Sequence, residues 1–185
     1  MSTKTLLTAD ELERMPSRID IDNLSMRTEL DEGELITMPP AGWDHGAYGV
    51  DITLLLGAFV KKHKLGRVLS ADTGFRLNDG TVRAPDVAFV RQERVAAMES
   101  VGFAKGAPDL AVEIFSPSDS VPQLMRKVKQ YFAAGCHTVW IVYPAAKEIH
   151  VLEATGADRL LHLDDNVEAP ELLPGFSVPV AEFFA

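Results

Sequence analysis

One short run limits the fold of this chain more than any other: Pro108-Asp109-Leu110-Ala111-Val112-Glu113-Ile114-Phe115-Ser116. Closed in by Pro108 and by the Ser116-Pro117-Ser118 break, residues 109–115 are too few for a core helix and strongly apolar, which makes them a strand. Its alternation sets Leu110, Val112 and Ile114 on one face and Ala111, Glu113 and Phe115 on the other. An acid therefore stands inside a strand built for burial, where an unpaired carboxylate is costly unless a cation or a metal answers it.

The segments around this strand read as a mixed α+β protein. Thr8-Ala9-Asp10-Glu11 has capping-box spacing and opens a helix over about residues 9–15, stopped by Pro16; residues 1–25 are expected to form a helical arm. Residues 27–38 read as a hairpin about Asp31-Glu32-Gly33. Between His45 and Leu65, Val50, Leu54, Leu55, Ala58 and Phe59 recur at helical spacing, with Gly66 placed as a C-terminal cap. Strands are expected at 67–70, 74–77 and 86–90, the last two paired antiparallel through Asn78-Asp79-Gly80, followed by an exposed helix over 91–100. A second long helix spans 121–134 and ends at Gly135; an apolar central strand covers 138–142. Strands at 148–153 and near 159–163 and a short helix after Pro179 complete the chain. The expected fold is α/β in the mixed α+β sense: a central mixed sheet flanked by helices, with an N-terminal hairpin, in one domain over residues 1–185.

Composition sets the boundaries on function. The 185 residues are 46% hydrophobic, enough for one full core. The longest apolar stretch, residues 52–60, is broken by Thr53 and Gly57 and falls far short of the about twenty residues a membrane-spanning helix needs, so no membrane partner is expected. With no secretory-type run at the N-terminus and a lone Cys136, the expected setting is cytoplasmic. Against 18 basic residues stand 27 acidic ones, a net charge of −9. That disfavours general coating of nucleic acid, although divalent cations held at one site reverse the field locally.

Two acids carry the functional reading. Asp86, in Arg83-Ala84-Pro85-Asp86-Val87, opens one strand, and Glu113 lies near the exit of another; as sheet neighbours in register they would present a hard oxygen site suited to Mg²⁺ or Mn²⁺. The alternative is that Asp86 caps a turn while Glu113 pairs with Arg126 or Lys127. On the helix over 121–134, Leu124, Val128, Tyr131 and Phe132 define the buried stripe. Lys127 lies roughly 85° from its centre, Lys129 roughly 115° and Arg126 roughly 175°, so Lys127 is the cation best placed to reach the sheet. Beside a scissile phosphate an ammonium stabilises developing negative charge. Trp43, Phe103, Phe183 and Phe184 offer either a self-complementary homodimer interface or cover for their own chain's sheet.

Pro85-Asp86, then Glu113 in Glu-Ile-Phe-Ser-Pro-Ser, Lys127-x-x-x-Tyr131, Gly135 and Trp140-Ile141-Val142-Tyr143-Pro144 together resemble the Uma-two family of bacterial endonuclease-type proteins, within the PD-(D/E)XK restriction-endonuclease-like superfamily. Gly33 to Pro40, His45 and Leu173-Pro174-Gly175-Phe176 extend the resemblance over nearly the whole chain. It implies a restriction-endonuclease-like fold and a Mg²⁺-dependent (or Mn²⁺-dependent) endonuclease acting on DNA, with Asp86, Glu113 and the backbone carbonyl of Ile114 holding the metal. It also implies that the superfamily Lys, absent where Phe115 stands, has moved onto the following helix at Lys127. Glu34 and His45 match further family positions, His45 as a proton acceptor or phosphate contact, though a structural role at its helix start is the alternative. Tyr143 stands where the family has Asp. Two other readings stay open: a catalytically silent binding member of the same fold, and a small-molecule phosphodiesterase.

Overall fold

In the computed structural model, which describes residues 6–98, 101–117 and 119–185, the chain runs α1 (Ala9–Arg14), β1 (Arg18–Ile21), β2 (Leu24–Asp31), β3 (Glu34–Met38), α2 (Trp43–His63), β4 (Gly66–Ser70), β5 (Phe75–Asn78), β6 (Thr81–Arg83) and β7 (Val87–Arg91). It continues through α3 (Gln92–Val95), β8 (Ala104–Lys105), β9 (Leu110–Ile114), α4 (Val121–Ala133), β10 (Thr138–Tyr143), β11 (Glu148–Glu153), β12 (Asp158–Leu161), β13 (Asn166–Glu168) and β14 (Ser177–Pro179), and ends in a 3-10 turn, Val180–Phe184. Ser118 and residues 99–100 lie outside the described residues; of the helix expected over 91–100 the described part is helical only over Gln92–Val95 and passes into a turn at Ala96.

The central sheet has the order β12-β11-β10-β9-β7-β4. Only β9 and β10 run parallel, with α4 as their crossover; the remaining neighbours are antiparallel. The alternation read along β9 is the alternation found. Leu110, Val112 and Ile114 join Ile52, Leu56 and Val60 of α2, whereas Ala111 packs with Leu124, Val128 and Tyr131 of α4. The sheet is thus covered on both faces, and Glu113 points toward the α4 side with 6% of its surface exposed.

Four further expectations are corrected. The Asn78-Asp79-Gly80 turn joins β5 to the three-residue β6, not to β7; β7 leaves for the central sheet, and β5 and β6 belong to a second sheet ordered β1-β2-β6-β5-β8, with β3 also on β2. The helical arm ends at Arg14, and residues 18–31 form a hairpin about Asp22 and Asn23, both at positive φ. β1 is largely exposed, so no buried alternation marked it. The stripe of α2 is turned from the expected one: Val50 and Leu54 are 58% and 63% exposed, and Ile52, Leu56 and Val60 are buried. α2 is apolar on most of its circumference, and period alone cannot choose among its faces. Its cap is Lys64, at φ 56°, while Gly66 opens β4 where an added Cβ would lie 2.0 Å from the Val90 carbonyl oxygen.

The N-terminal sheet sets the other wall of the site. Leu30 and Val82, paired in register, turn one face toward Ala9 and Leu12 of α1, which is held by the Thr8–Glu11 capping box. Glu29, Asp31 and Arg83, on the opposite parity, face α4. Among the aromatics considered for an interface, Phe183 is fully buried, Phe184 packs edge-on to Tyr48, and Phe103 packs beside the α1 cluster. Trp43 alone of the four is exposed, at 90%. Among the described residues no helix is long and apolar enough to cross a membrane.

Candidate active site

A cleft of about 220 Å³ opens where α4 faces both sheets and the start of α2. Its wall carries Arg27, Glu29, Asp31, His45, Arg83, Asp86, Glu113, Asp119 and Lys127 among others, so five carboxylates meet three permanent cations and one imidazole. One half of this charge is cancelled by direct pairing. Arg83 donates through Nη1 to Glu29 Oε2 at 2.9 Å and through Nε to Gln130 Oε1 at 2.9 Å, and its Nη2 lies 2.8 Å from Asp31 Oδ1. Glu29 Oε1 accepts from the Ala84 amide at 3.0 Å and from Lys127 Nζ at 3.1 Å. Gln130 Nε2 closes the ring on Asp31 at 2.8 Å. Burial alone would raise the Asp31 carboxyl, yet the Gln130 amide and the Arg83 and Arg126 charges hold it below its ordinary value.

The other half is less well balanced. Lys127 Nζ reaches Glu113 Oε2 at 3.4 Å, and the Tyr131 hydroxyl donates to Glu113 Oε1 at 2.7 Å. Burial pushes the Glu113 carboxyl up to about 7; the Lys127 ammonium opposes this, and the charges of Asp86 and Glu29 add to it. Burial works against the charged form of Lys127, but Glu113 and Glu29 outweigh it and raise its pKa, so the ammonium stays charged. Asp86 Oδ2 accepts from the Ile114 amide at 2.8 Å and lies 3.3 Å from His45 Nε2. The bond from Asp86 raises the His45 pKa against burial. β7 and β9 pair with Val87 opposite Val112, which brings Asp86 and Glu113 to the same rung end, both on the cleft wall.

The donor set fits a hard divalent cation. Among the described residues no three His, Cys, Asp or Glu side chains form a ready-made cage. Mg²⁺ does not demand one, since it binds through one or two carboxylates and takes its remaining oxygens from water and substrate phosphate. Asp86 Oδ1 accepts no hydrogen bond among the described residues, and the excess of carboxylates over permanent cations is of the right sign. Because the amide and carbonyl of one strand residue point to the same edge, the Ile114 carbonyl faces the edge where its amide meets Asp86.

Of the residues singled out from sequence, Asp86, Glu113, Ile114, Lys127 and His45 all line the cleft. Glu34 does not. It shares a face with Ile36 and Met38, which do, but it sits exposed at the turn end of the β2–β3 hairpin, opposite Asp31. Sequence reading missed Glu29, Arg83, Gln130 and the hydroxyl role of Tyr131. For Tyr131 a signal existed: a buried tyrosine needs a partner for its O–H, and an acid inside an apolar strand is an acceptor that itself needs a donor. For Glu29 the signal was the same-face row Arg27, Glu29, Asp31 on β2.

The family model described as "Uma2: Putative restriction endonuclease" matches residues 9–181. The chain belongs to this family. The Uma2 match runs from the start of α1 through β14 to the beginning of the last turn, and its restriction-endonuclease-like character agrees with the sheet and helix arrangement above. A solved structure, that of a putative nuclease belonging to DUF820 from Anabaena variabilis ATCC 29413, superposes with a TM-score of 0.80 at 19% identity, covering 96% of this chain and 97% of that one. At that identity the likeness is one of fold. No curated protein matches the chain.

Proposed function

We propose that this Uma2 chain is a Mg²⁺- or Mn²⁺-dependent endonuclease that hydrolyses DNA phosphodiester bonds. The observation that carries the proposal is the meeting in one cleft of Asp86 from the turn into β7, Glu113 from β9 and Lys127 from α4, with more carboxylates around them than permanent cations. Asp86, Glu113 and the Ile114 carbonyl would hold the cation. When bound, the cation supplies Lewis acidity toward water and toward the phosphate.

The chain's own groups do the rest. Tyr131 fixes one oxygen of Glu113, leaving the other to the cleft side, where Lys127 stands. The Lys127 ammonium, kept charged by two carboxylates, faces the charge that develops on phosphorus oxygens. His45, hydrogen-bonded to Asp86 at the cleft rim, is placed to take a proton from water or to contact phosphate. Arg27, also on the wall, offers a guanidinium to the incoming backbone.

The test is nicking of plasmid DNA in Mg²⁺ and in Mn²⁺ by the purified chain, with Asp86→Ala and Glu113→Ala prepared alongside. Loss of cutting in both variants supports the reading; equal cutting by wild type and variants contradicts it. The silent-binder reading draws on the −9 net charge, and it wins if the wild type binds metal and DNA without cutting.

A further inference from the structure

Beside the cleft, and sharing His45 and Ile114 with it, runs a second hollow of about 640 Å³. It lies beyond the carboxyl ends of the parallel pair β9 and β10, the place where open α/β sheets take ligands, and it is closed on the third side by the start of α2. Four aromatic rings line it: Trp43, Tyr48, Phe115 and Tyr143. Phe115 and Tyr143 are tilted against each other with centroids 5.4 Å apart, and Trp43 stands 90% exposed at the first position of α2. The hollow's charge is sparse, one carboxylate (Asp44) and the shared imidazole.

We infer that this hollow is a stacking subsite for an unpaired nucleobase next to the phosphate in the cleft; the inference rests on the phosphodiesterase reading. An aromatic hollow whose one full charge is a carboxylate suits the ring of a nucleotide and not its phosphate, while the cleft beside it carries Arg27 and Lys127 for the phosphate. Every base has a π-face, so stacking accepts any of them. A base in a duplex must leave its stack to enter, so the chain prefers single-stranded or locally opened DNA.

The chain's two tryptophans make the experiment direct, because Trp140 is buried in the core and Trp43 is exposed. The full-length protein is titrated with a short single-stranded oligonucleotide in Ca²⁺, followed by tryptophan fluorescence and by anisotropy of a label on the DNA. A duplex of the same sequence and a strand with abasic sites are run in parallel. The subsite predicts quenching of Trp43, roughly tenfold weaker binding for Trp43→Ala and for Tyr143→Ala, near-normal binding for Trp43→Phe, and weak binding of the abasic strand. Unchanged affinity in both alanine variants overturns it, as does equal affinity for the abasic strand, or a loss of binding that tracks a change of molecular mass in light scattering. Plasmid nicking that survives Trp43→Ala and Tyr143→Ala with unaltered affinity leaves the endonuclease reading standing and removes the subsite. Base-dependent binding without any nicking does the reverse.

Discussion

The two walls of the cleft are built from the same kinds of residue and treat their charge in opposite ways. On the N-terminal wall, Glu29, Asp31 and Arg83 are satisfied at hydrogen-bonding distance by one another and by Gln130 of α4, and Glu29 has no exposed surface. On the central-sheet wall, Asp86 and Glu113 share one imidazole and one ammonium, and Glu113 is pushed up to about 7 by burial. Lys127 stands on the border and serves both walls. A buried charge that is fully paired holds structure together; one that is left partly unanswered is available to an incoming cation.

Removing Glu29 should produce the largest change in stability. Glu29→Ala leaves the buried Arg83 without its Glu29 ion pair and takes from Lys127 one of its two carboxylates, and a loss of about 3–5 kcal/mol is expected; a urea denaturation series measures it, and a loss within about 1 kcal/mol would mean that the two walls do not differ. Asp86→Ala should behave the other way, costing about 1 kcal/mol through the Ile114 amide it no longer accepts. What it should lose is metal linkage: saturating Mn²⁺ at about a hundredfold over its dissociation constant stabilises the wild type by about 2.7 kcal/mol. For a chain of this size that is a rise of roughly 5–10 °C in Tm, which calorimetry should find in the wild type and not in Asp86→Ala.

Smaller effects sharpen the contrast. Asp31 is held below its ordinary value in the folded state, so its contribution is present above the unfolded carboxylate pKa and is lost as pH falls through the lower folded value. Asp31→Asn should therefore flatten the acid limb of a stability profile below about pH 4, and an unaltered limb would place the acid sensitivity elsewhere. The mildest expectation concerns Cys136, buried with its thiol donating toward backbone carbonyls and pushed up to about 12 by burial. At pH 8 a thiol reagent should label it only after unfolding; prompt labelling of the native chain would show that the region behind α4 opens.

How much of this could be read from residues alone depended on the range of the interactions. The β9 alternation and the Lys127 direction on α4 are local periodicities, and both are found as expected. Glu29 is made a site residue by partners 54 and 98 positions away, Arg83 and Lys127; the row Arg27, Glu29, Asp31 marks its face of β2 but does not say what that face meets. The short β6 was lost for a similar reason, since three residues give no period, and with it went the fact that Arg83 and Asp86 are carried on a passage between two sheets. Glu34 was named from the family resemblance alone; it shares a face with Ile36 and Met38, which reach the cleft, but stands at the hairpin end where the wall has already stopped.

The central claim is that Asp86 and Glu113 hold one divalent ion between them. Crystals of the protein soaked in Mn²⁺ and measured at the manganese edge test it in a single experiment. The account predicts an anomalous peak bonded to an oxygen of each carboxylate, on the edge where the Ile114 carbonyl faces. A peak elsewhere, or a saturating soak with none at that position, would contradict it.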